Sequence, residues 1–199
     1  MISTIIFDLG GVLVDIDFKS FLKTLAQHYE ISEKELIKYK SIEIHEDYMK
    51  GLLTSEHFYS SILPDFDKKL SCDQFKQLWN SILIGQKDDT AEIVEKLDNR
   101  YNLALMSNID PWHFSFCYEN YPIIRKFENR FLSYELHSIK PERDFYLHVT
   151  KILNTETHHC LFIDDLVENI KTAQDLGFNT IHFKNGLHLK NELIKLNII

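Results

Sequence analysis

Four short apolar runs, each closed by a polar or turn residue, set the pattern of this chain: Ile5 to Phe7, Leu103 to Met106, Leu161 to Ile163 and Thr180 to Phe183. Runs that are continuous rather than alternating suit strands covered on both faces, as in a parallel sheet between helices. A fifth strand is expected at Arg130 to Tyr134. The last three runs follow segments of helical periodicity. This alternation after residue 88 predicts an α/β fold with a doubly wound parallel sheet. Helix boundaries are legible in the same stretch. Asp110-Pro111 reads as an N-cap followed by a first-turn proline, and Lys140-Pro141 as another helix start. Leu166 to Leu176 reads as an amphipathic helix stopped by Gly177.

Residues 17–84 behave differently. Phe18, Leu22 and Leu25, then Leu36 and Tyr39, keep helical spacing. Ser32 with Glu35 and Ser71 with Gln74 have capping-box spacing, and no strand pattern intervenes. The segment is read as a small helical insert after the first strand. It divides the chain into a core domain of residues 1–16 and 85–199 and a cap of residues 17–84. Ligands of open α/β sheets sit outside the carboxyl ends of the strands. An insert leaving the sheet there is expected to overhang the site.

Composition narrows the function without naming it. The 199 residues are 44% hydrophobic, enough for a core, and 30 acidic residues outweigh 22 basic ones to a net charge of −8. A nucleic-acid partner is therefore not expected, since phosphate backbones require clustered cations. A small anion remains compatible, because a few local donors suffice to hold it. Cys72, Cys117 and Cys160 are odd in number and widely spaced, as reduced thiols would be. His158-His159-Cys160 leads directly into an apolar run and reads as a strand start rather than a zinc site. No apolar stretch approaches membrane-span length and the N-terminus lacks a basic leader, so a cytoplasmic protein is expected, not a membrane one.

The chemistry lies where the apolar runs end. The first closes with Asp8-Leu9-Gly10-Gly11, the second with Ser107-Asn108 and the third with Asp164-Asp165, while Lys140 stands before Pro141. If these strands are parallel neighbours, the groups converge on one edge of the sheet. Three carboxylates there repel one another, and a divalent cation relieves the repulsion; hard oxygen donors suit Mg²⁺. With one lysine and one hydroxyl, the set suits phosphoryl transfer, which rests on positioning and neutralisation of charge. Each group alone is an ordinary cap, turn or solvated residue. The four in this order, each at a strand end, carry the signal.

These residues resemble the four motifs of the haloacid dehalogenase-like hydrolase superfamily: Phe7-Asp8-Leu9-Gly10-Gly11-Val12-Leu13-Val14-Asp15, Ser107-Asn108, Lys140-Pro141-Glu142 and Ile163-Asp164-Asp165. The resemblance covers essentially the whole chain. Asp15-Ile16-Asp17-Phe18 and Tyr121-Pro122-Ile123-Ile124-Arg125 are most similar to the branch of bacterial sugar-phosphate phosphatases typified by α-D-glucose-1-phosphate phosphatase. It implies a Rossmann-like core with a helical cap, and a Mg²⁺-dependent phosphatase that forms an aspartyl-phosphate on Asp8. Asp8 would be nucleophile and metal ligand, with the main-chain carbonyl of Gly10 and Asp165 as further ligands and Asp164 acting through water or by orienting the shell. Ser107 and the backbone N–H of Asn108 would hold the phosphoryl group, and Lys140 would bridge it to Asp8. Asn169 would support the shell or simply lie on a polar helix face.

One position departs from the pattern. Phosphatases of the superfamily usually carry a second Asp two residues after the nucleophile, as acid and base, and here that residue is Gly10. The resemblance to the sugar-phosphate branch implies that this gap is shared there. Asp15 and Asp17 lie nearby and are expected to act at the hinge or cap link. The expected substrate is a small phosphorylated metabolite, a sugar phosphate with 1-phosphates favoured, handled by a monomer or weak homodimer. A metal-independent haloacid dehalogenase also dispenses with that acid, but has no use for the Asp164-Asp165 pair. A non-catalytic binding protein of the same fold is the remaining alternative. Trp112, Phe114 and Tyr118 read as core residues or pocket lining.

Overall fold

The computed structural model describes residues 1–33, 41–62 and 70–199. Glu35, Leu36 and Tyr39 lie outside them. The central sheet has five strands: β1 (Thr4–Phe7), β4 (Asn102–Ser107), β5 (Asn129–Leu132), β6 (Cys160–Asp164) and β7 (Asn179–His182). They run parallel in the order β5-β4-β1-β6-β7, so β1 is central. Phe7 pairs with Leu105 on one side and with Ile163 on the other. That register sets Asp8 beside Asp164, and Ser107 at the end of the other neighbour.

The continuous apolar runs are explained by two cores. Ile5, Phe7, Leu103, Leu105, Leu161 and Ile163 point to one face, and Ile6, Ala104, Met106 and Phe162 to the other. Helices α5 (Asp88–Leu97), α6 (Pro111–Asn120) and α10 (Gly186–Lys195) cover the first face. Helices α8 (Arg143–Ile152) and α9 (Val167–Asp175) cover the second. Each fully buried aromatic or aliphatic side chain is worth roughly 1.5–3 kcal/mol, so two such layers are the main source of stability.

The insert contributes α1 (Phe18–Tyr29), α2 (Ser41–Met49), α3 (Ser55–Ile62) and α4 (Cys72–Asn80). Ser71 and Gln74 form the expected reciprocal capping box on α4. These helices enclose a third apolar cluster of Phe21, Tyr48, Phe58, Phe75 and Trp79, into which Trp112 reaches from α6. Trp112 is thus a core residue, Phe114 packs against the first core, and Tyr118 is exposed under the Arg130 guanidinium.

Three details differ from expectation. A two-stranded antiparallel ribbon, β2 (Val14–Ile16) with β3 (Leu83–Gln86), joins insert to sheet, and the expected boundary after residue 84 falls inside β3. Strands so short carry no readable alternation. The fifth strand stops at Leu132, because Ser133 turns into the short helix α7 (Ser133–Leu136) with its hydroxyl bonded to Ile109. The helix after Pro141 begins only at Arg143, since the Lys140 backbone is held by Asn108 instead; the Lys140-Pro141 bond is cis. Other boundaries fall within a residue or two, and Gly177 follows α9 with φ +87°.

Candidate active site

Asp8 emerges from the central strand with its N–H bonded to Ile163 O (2.9 Å) and Oδ1 accepting from Leu9 N (2.7 Å). Lys140 reaches the same spot. Its Nζ lies 2.7 Å from Asp8 Oδ1, 2.7 Å from Asp164 Oδ2 and 3.0 Å from Met106 O, above the Phe162 ring. The ammonium is buried, and all three of its donors have partners. Asp164 is saturated as well: it accepts from Lys140, from Leu166 N (2.8 Å) and from both-oxygen contacts with Asn169 Nδ2 (3.0 and 3.1 Å). Asn169 is therefore a buried support of the acidic cluster and not a polar helix face.

Asp165 is half-buried beside this group. Carboxylate oxygens of Asp8, Asp164 and Asp165 lie within 4.8 Å of one another, the one such group of potential metal ligands among the described residues. Gly11 shapes the cradle: at φ +75°, its Cα would place a Cβ 2.3 Å from Asp165 Oδ2. Any larger residue there would be strained at that φ and would displace the Asp165 carboxylate, a requirement the sequence reading missed. His182 was also missed; its Nε2 sits 3.0 Å from Asp165 O.

The electrostatics follow from three acids around one lysine. Burial pushes the Asp8 carboxyl up to about 7; Lys140 opposes that rise, while Asp164 and Asp165 add to it. Asp165 is raised too, by burial and by Asp164. Burial alone would lower Lys140, but Asp8 and Asp164 hold it above its usual value. The lysine is firmly cationic, and its single charge does not satisfy the acids. Their donor set of hard oxygens fits Mg²⁺.

Ser107 is buried at the end of β4. Asn108 uses its side chain as a bidentate clip on the Lys140 backbone, donating to Lys140 O and accepting from Lys140 N, both at 2.7 Å. The second and third motifs are thereby locked to each other. The structure thus brings together Asp8, Asp164, Asp165, Lys140 and Asn108. Asp15 pairs with Lys87 at the start of α5, and Asp17 caps α1 through Ser20 N. Both serve the junction with the insert. Gly10 bridges to Val14, and a Cβ at this position would meet only Ile16 Cγ2, at 3.8 Å.

The chain has relatives in sequence and in fold. D-ribitol-5-phosphate phosphatase from Bacteroides thetaiotaomicron is 30% identical over 97% of both chains. A sesquiterpene phosphatase from Aspergillus oryzae is 25% identical over 96% of this chain and 94% of its own. Among solved structures, a HAD-family enzyme from B. thetaiotaomicron in complex with magnesium and inorganic phosphate superposes with a TM-score of 0.84 at 29% identity, over 94% of this chain and 96% of that one. L-2-haloacid dehalogenase from Xanthobacter autotrophicus shares the fold at a TM-score of 0.66 and 17% identity, over 100% of this chain and 85% of its own. The haloacid dehalogenase-like hydrolase family matches residues 2–177, and the chain belongs to that family.

Proposed function

We propose that this protein is a Mg²⁺-dependent phosphatase of small phosphorylated metabolites that works through an aspartyl-phosphate on Asp8. The observation that carries this reading is the contact of Lys140 with both Asp8 and Asp164, at 2.7 Å each, within a cluster of three carboxylates. A dehalogenase, whose leaving group is a halide, has no use for that cluster. Asp8 Oδ attacks phosphorus, the P–O bond to the metabolite breaks, and the alkoxide leaves with a proton taken from solvent or substrate. Water then cleaves the acyl phosphate, releasing inorganic phosphate and restoring the carboxylate. Lys140 draws Asp8 towards its ionised form against the effect of burial and bridges it to the phosphoryl oxygens, while Ser107 and the Asn108 backbone N–H hold them. Asp8, Asp165 and the Gly10 carbonyl would hold Mg²⁺, which when bound supplies charge neutralisation at the phosphoryl group. Asp164, committed to Lys140 and Asn169, orients the shell.

The insert, residues 17–84, acts as a cap that selects the substrate. Its support is the way it seats on the catalytic loops: Lys50 pairs with Glu142 (2.9 Å), two residues beyond Lys140, and Trp79 donates to Asp110 (3.0 Å), three beyond Ser107. Gly51, at φ +67°, abuts the Tyr134 carbonyl, where a Cβ would come within 2.1 Å. For substrate class, a sugar or sugar-alcohol phosphate follows from the ribitol-phosphate relative and from the sugar-phosphate branch that the motifs resemble. Within that class, the absence of an acid at Gly10 favours anomeric 1-phosphates. A screen of phosphorylated sugars and polyols with Mg²⁺ and with chelator tests the proposal. Release of phosphate from several of them, abolished by chelator, is expected; release indifferent to chelator would sink the metal-dependent mechanism.

A further inference from the structure

Behind the second motif lies a buried charged cluster that the proposed chemistry does not use. Asp110, fully buried, caps α6 through His113 N (2.9 Å) and accepts from Trp79 Nε1 (3.0 Å) on α4. His113 is buried as well. Its Nδ1 lies 2.9 Å from Asp110 Oδ2 and its Nε2 lies 2.9 Å from Trp79 O. A carboxylate and a carbonyl oxygen only accept, so both ring nitrogens must carry protons. The imidazolium then stacks flat on the Trp79 indole, centroids 5.0 Å apart and planes 3° from parallel.

We infer that His113 is a positioning residue for phosphate binding: as an imidazolium clamped between Asp110 and the insert's Trp79, it fixes the turn that carries Ser107 and Asn108. The inference rests on the phosphatase reading above. That turn has three anchors: Asn108 on Lys140, Ile109 on Ser133, and Asp110 on His113 and Trp79. The third is the one that comes from the insert, so it couples the seating of the cap to the Ser107 hydroxyl. Loss of a His113 proton would set a lone pair against a carboxylate or a carbonyl in a dry interior, which costs enough to release the clamp.

The neighbours are consistent with a charge held on His113. Burial would lower it, but Asp110 holds it above its usual value, and Asp110 itself stays low against burial through His113. His45, from α2, lies 3.9 Å from Asp110 and is pushed to about 4 by burial, so it is neutral. Tyr48, Tyr134 and Cys117 also face Asp110 and are all raised by burial, hence uncharged.

Two measurements test this. In ¹⁵N-histidine NMR of the whole protein, with assignment by His113→Asn, His113 is expected to show two bonded ring protons at pH 7. A single ring proton would overturn the clamp whether or not the enzyme is active. In kinetics, His113→Asn is expected to raise KM for a phosphorylated substrate and Ki for inorganic phosphate by about ten- to a hundred-fold, as for a misplaced binding turn. Its Mg²⁺ requirement stays unchanged. Wild-type KM should rise at alkaline pH as His113 deprotonates, whereas KM of the variant should be flat there. A folded variant with KM and kcat within about two-fold of wild type would overturn the positioning role. Should His113→Asn not fold, the pH dependence of wild-type KM decides alone: a KM that stays flat at alkaline pH would overturn the positioning role. A wild type that cleaves no phosphate ester would defeat the phosphatase reading and with it the positioning role, while leaving the NMR result intact.

Discussion

The Lys140 ammonium lies 2.7 Å from the Asp8 carboxylate, and the side chains of both residues are almost wholly buried. This contact joins the central strand to the third motif. Lys140 is held there by Asn108 through the backbone, and by Met106 O and Asp164 through the side chain.

Replacing Asp8 by Asn removes the proposed nucleophile and leaves the shape. The amide oxygen still accepts from Leu9 N and Lys140, and one of three mutually repelling charges is gone. Thermal stability should be kept or raised, while turnover falls by about 10³-fold or more, as with other lost nucleophiles. A thermal melt and a steady-state assay on the same preparation check both. Substantial residual turnover would show that Asp8 is not the nucleophile.

Asp165 and Lys140 should fail in different ways. Asp165→Asn removes a hard anionic donor proposed to bind the metal and should raise the Mg²⁺ concentration needed for half-maximal activity. Lys140→Ala should lower turnover at saturating Mg²⁺ and also destabilise the protein. Breaking a buried charge pair costs about 3–5 kcal/mol, and here two carboxylates lose their cation. Activity titrated against Mg²⁺, beside a denaturant melt, separates the two. Identical metal dependence in both variants would refute the division of roles.

Mg²⁺ should stabilise the protein more at pH 8 than at pH 5. The Asp8 carboxyl is raised from 3.8 to about 7 in the fold, so the folded state keeps a proton that the unfolded chain releases. The stability this contributes is complete below pH 3.8 and is lost as pH rises towards 7. Metal binding requires the ionised carboxylate and expels that proton. The gain in Tm on adding Mg²⁺, measured at both pH values, should therefore be larger at the higher one. Equal gains would contradict a protonated Asp8 in the metal-free fold.

Gly10 should govern leaving-group preference. General acid assistance is worth about 10²- to 10⁴-fold, and no carboxyl stands at this position to give it. An anomeric oxygen leaves more easily than a primary alkoxide, so hexose 1-phosphates should turn over faster than hexose 6-phosphates at saturation. Gly10→Asp is sterically admissible, since a Cβ would meet only Ile16 Cγ2 at 3.8 Å, and it should narrow the difference. A wild-type preference for the 6-phosphate would mean that another group supplies the proton.

What the sequence determined by itself was everything written in local pattern. Continuous apolar runs announced strands covered on both faces, and Asp8, Ser107 and Asp164 could be placed at strand ends, because a buried strand must stop where polarity begins. Capping at Ser71 and Asp110 was legible for the same reason: an N-cap binds its own first turn, and Ser71 with Gln74 and Asp110 with His113 are three residues apart. What only the tertiary structure decided were pairings between distant segments. Local pattern does not separate Asp164 from Asp165; the resemblance alone gave them different roles, and the structure shows one committed to Lys140 and Asn169 while the other turns towards Gly11. Asn108 was expected to act through its backbone; that its side chain also clips the third motif was not legible. The β2–β3 ribbon and the Asp110–His113–Trp79 cluster had no periodic signature at all. Each depends on register between strands or on the docking of the insert, and chain spacing does not encode which buried donors and acceptors will meet.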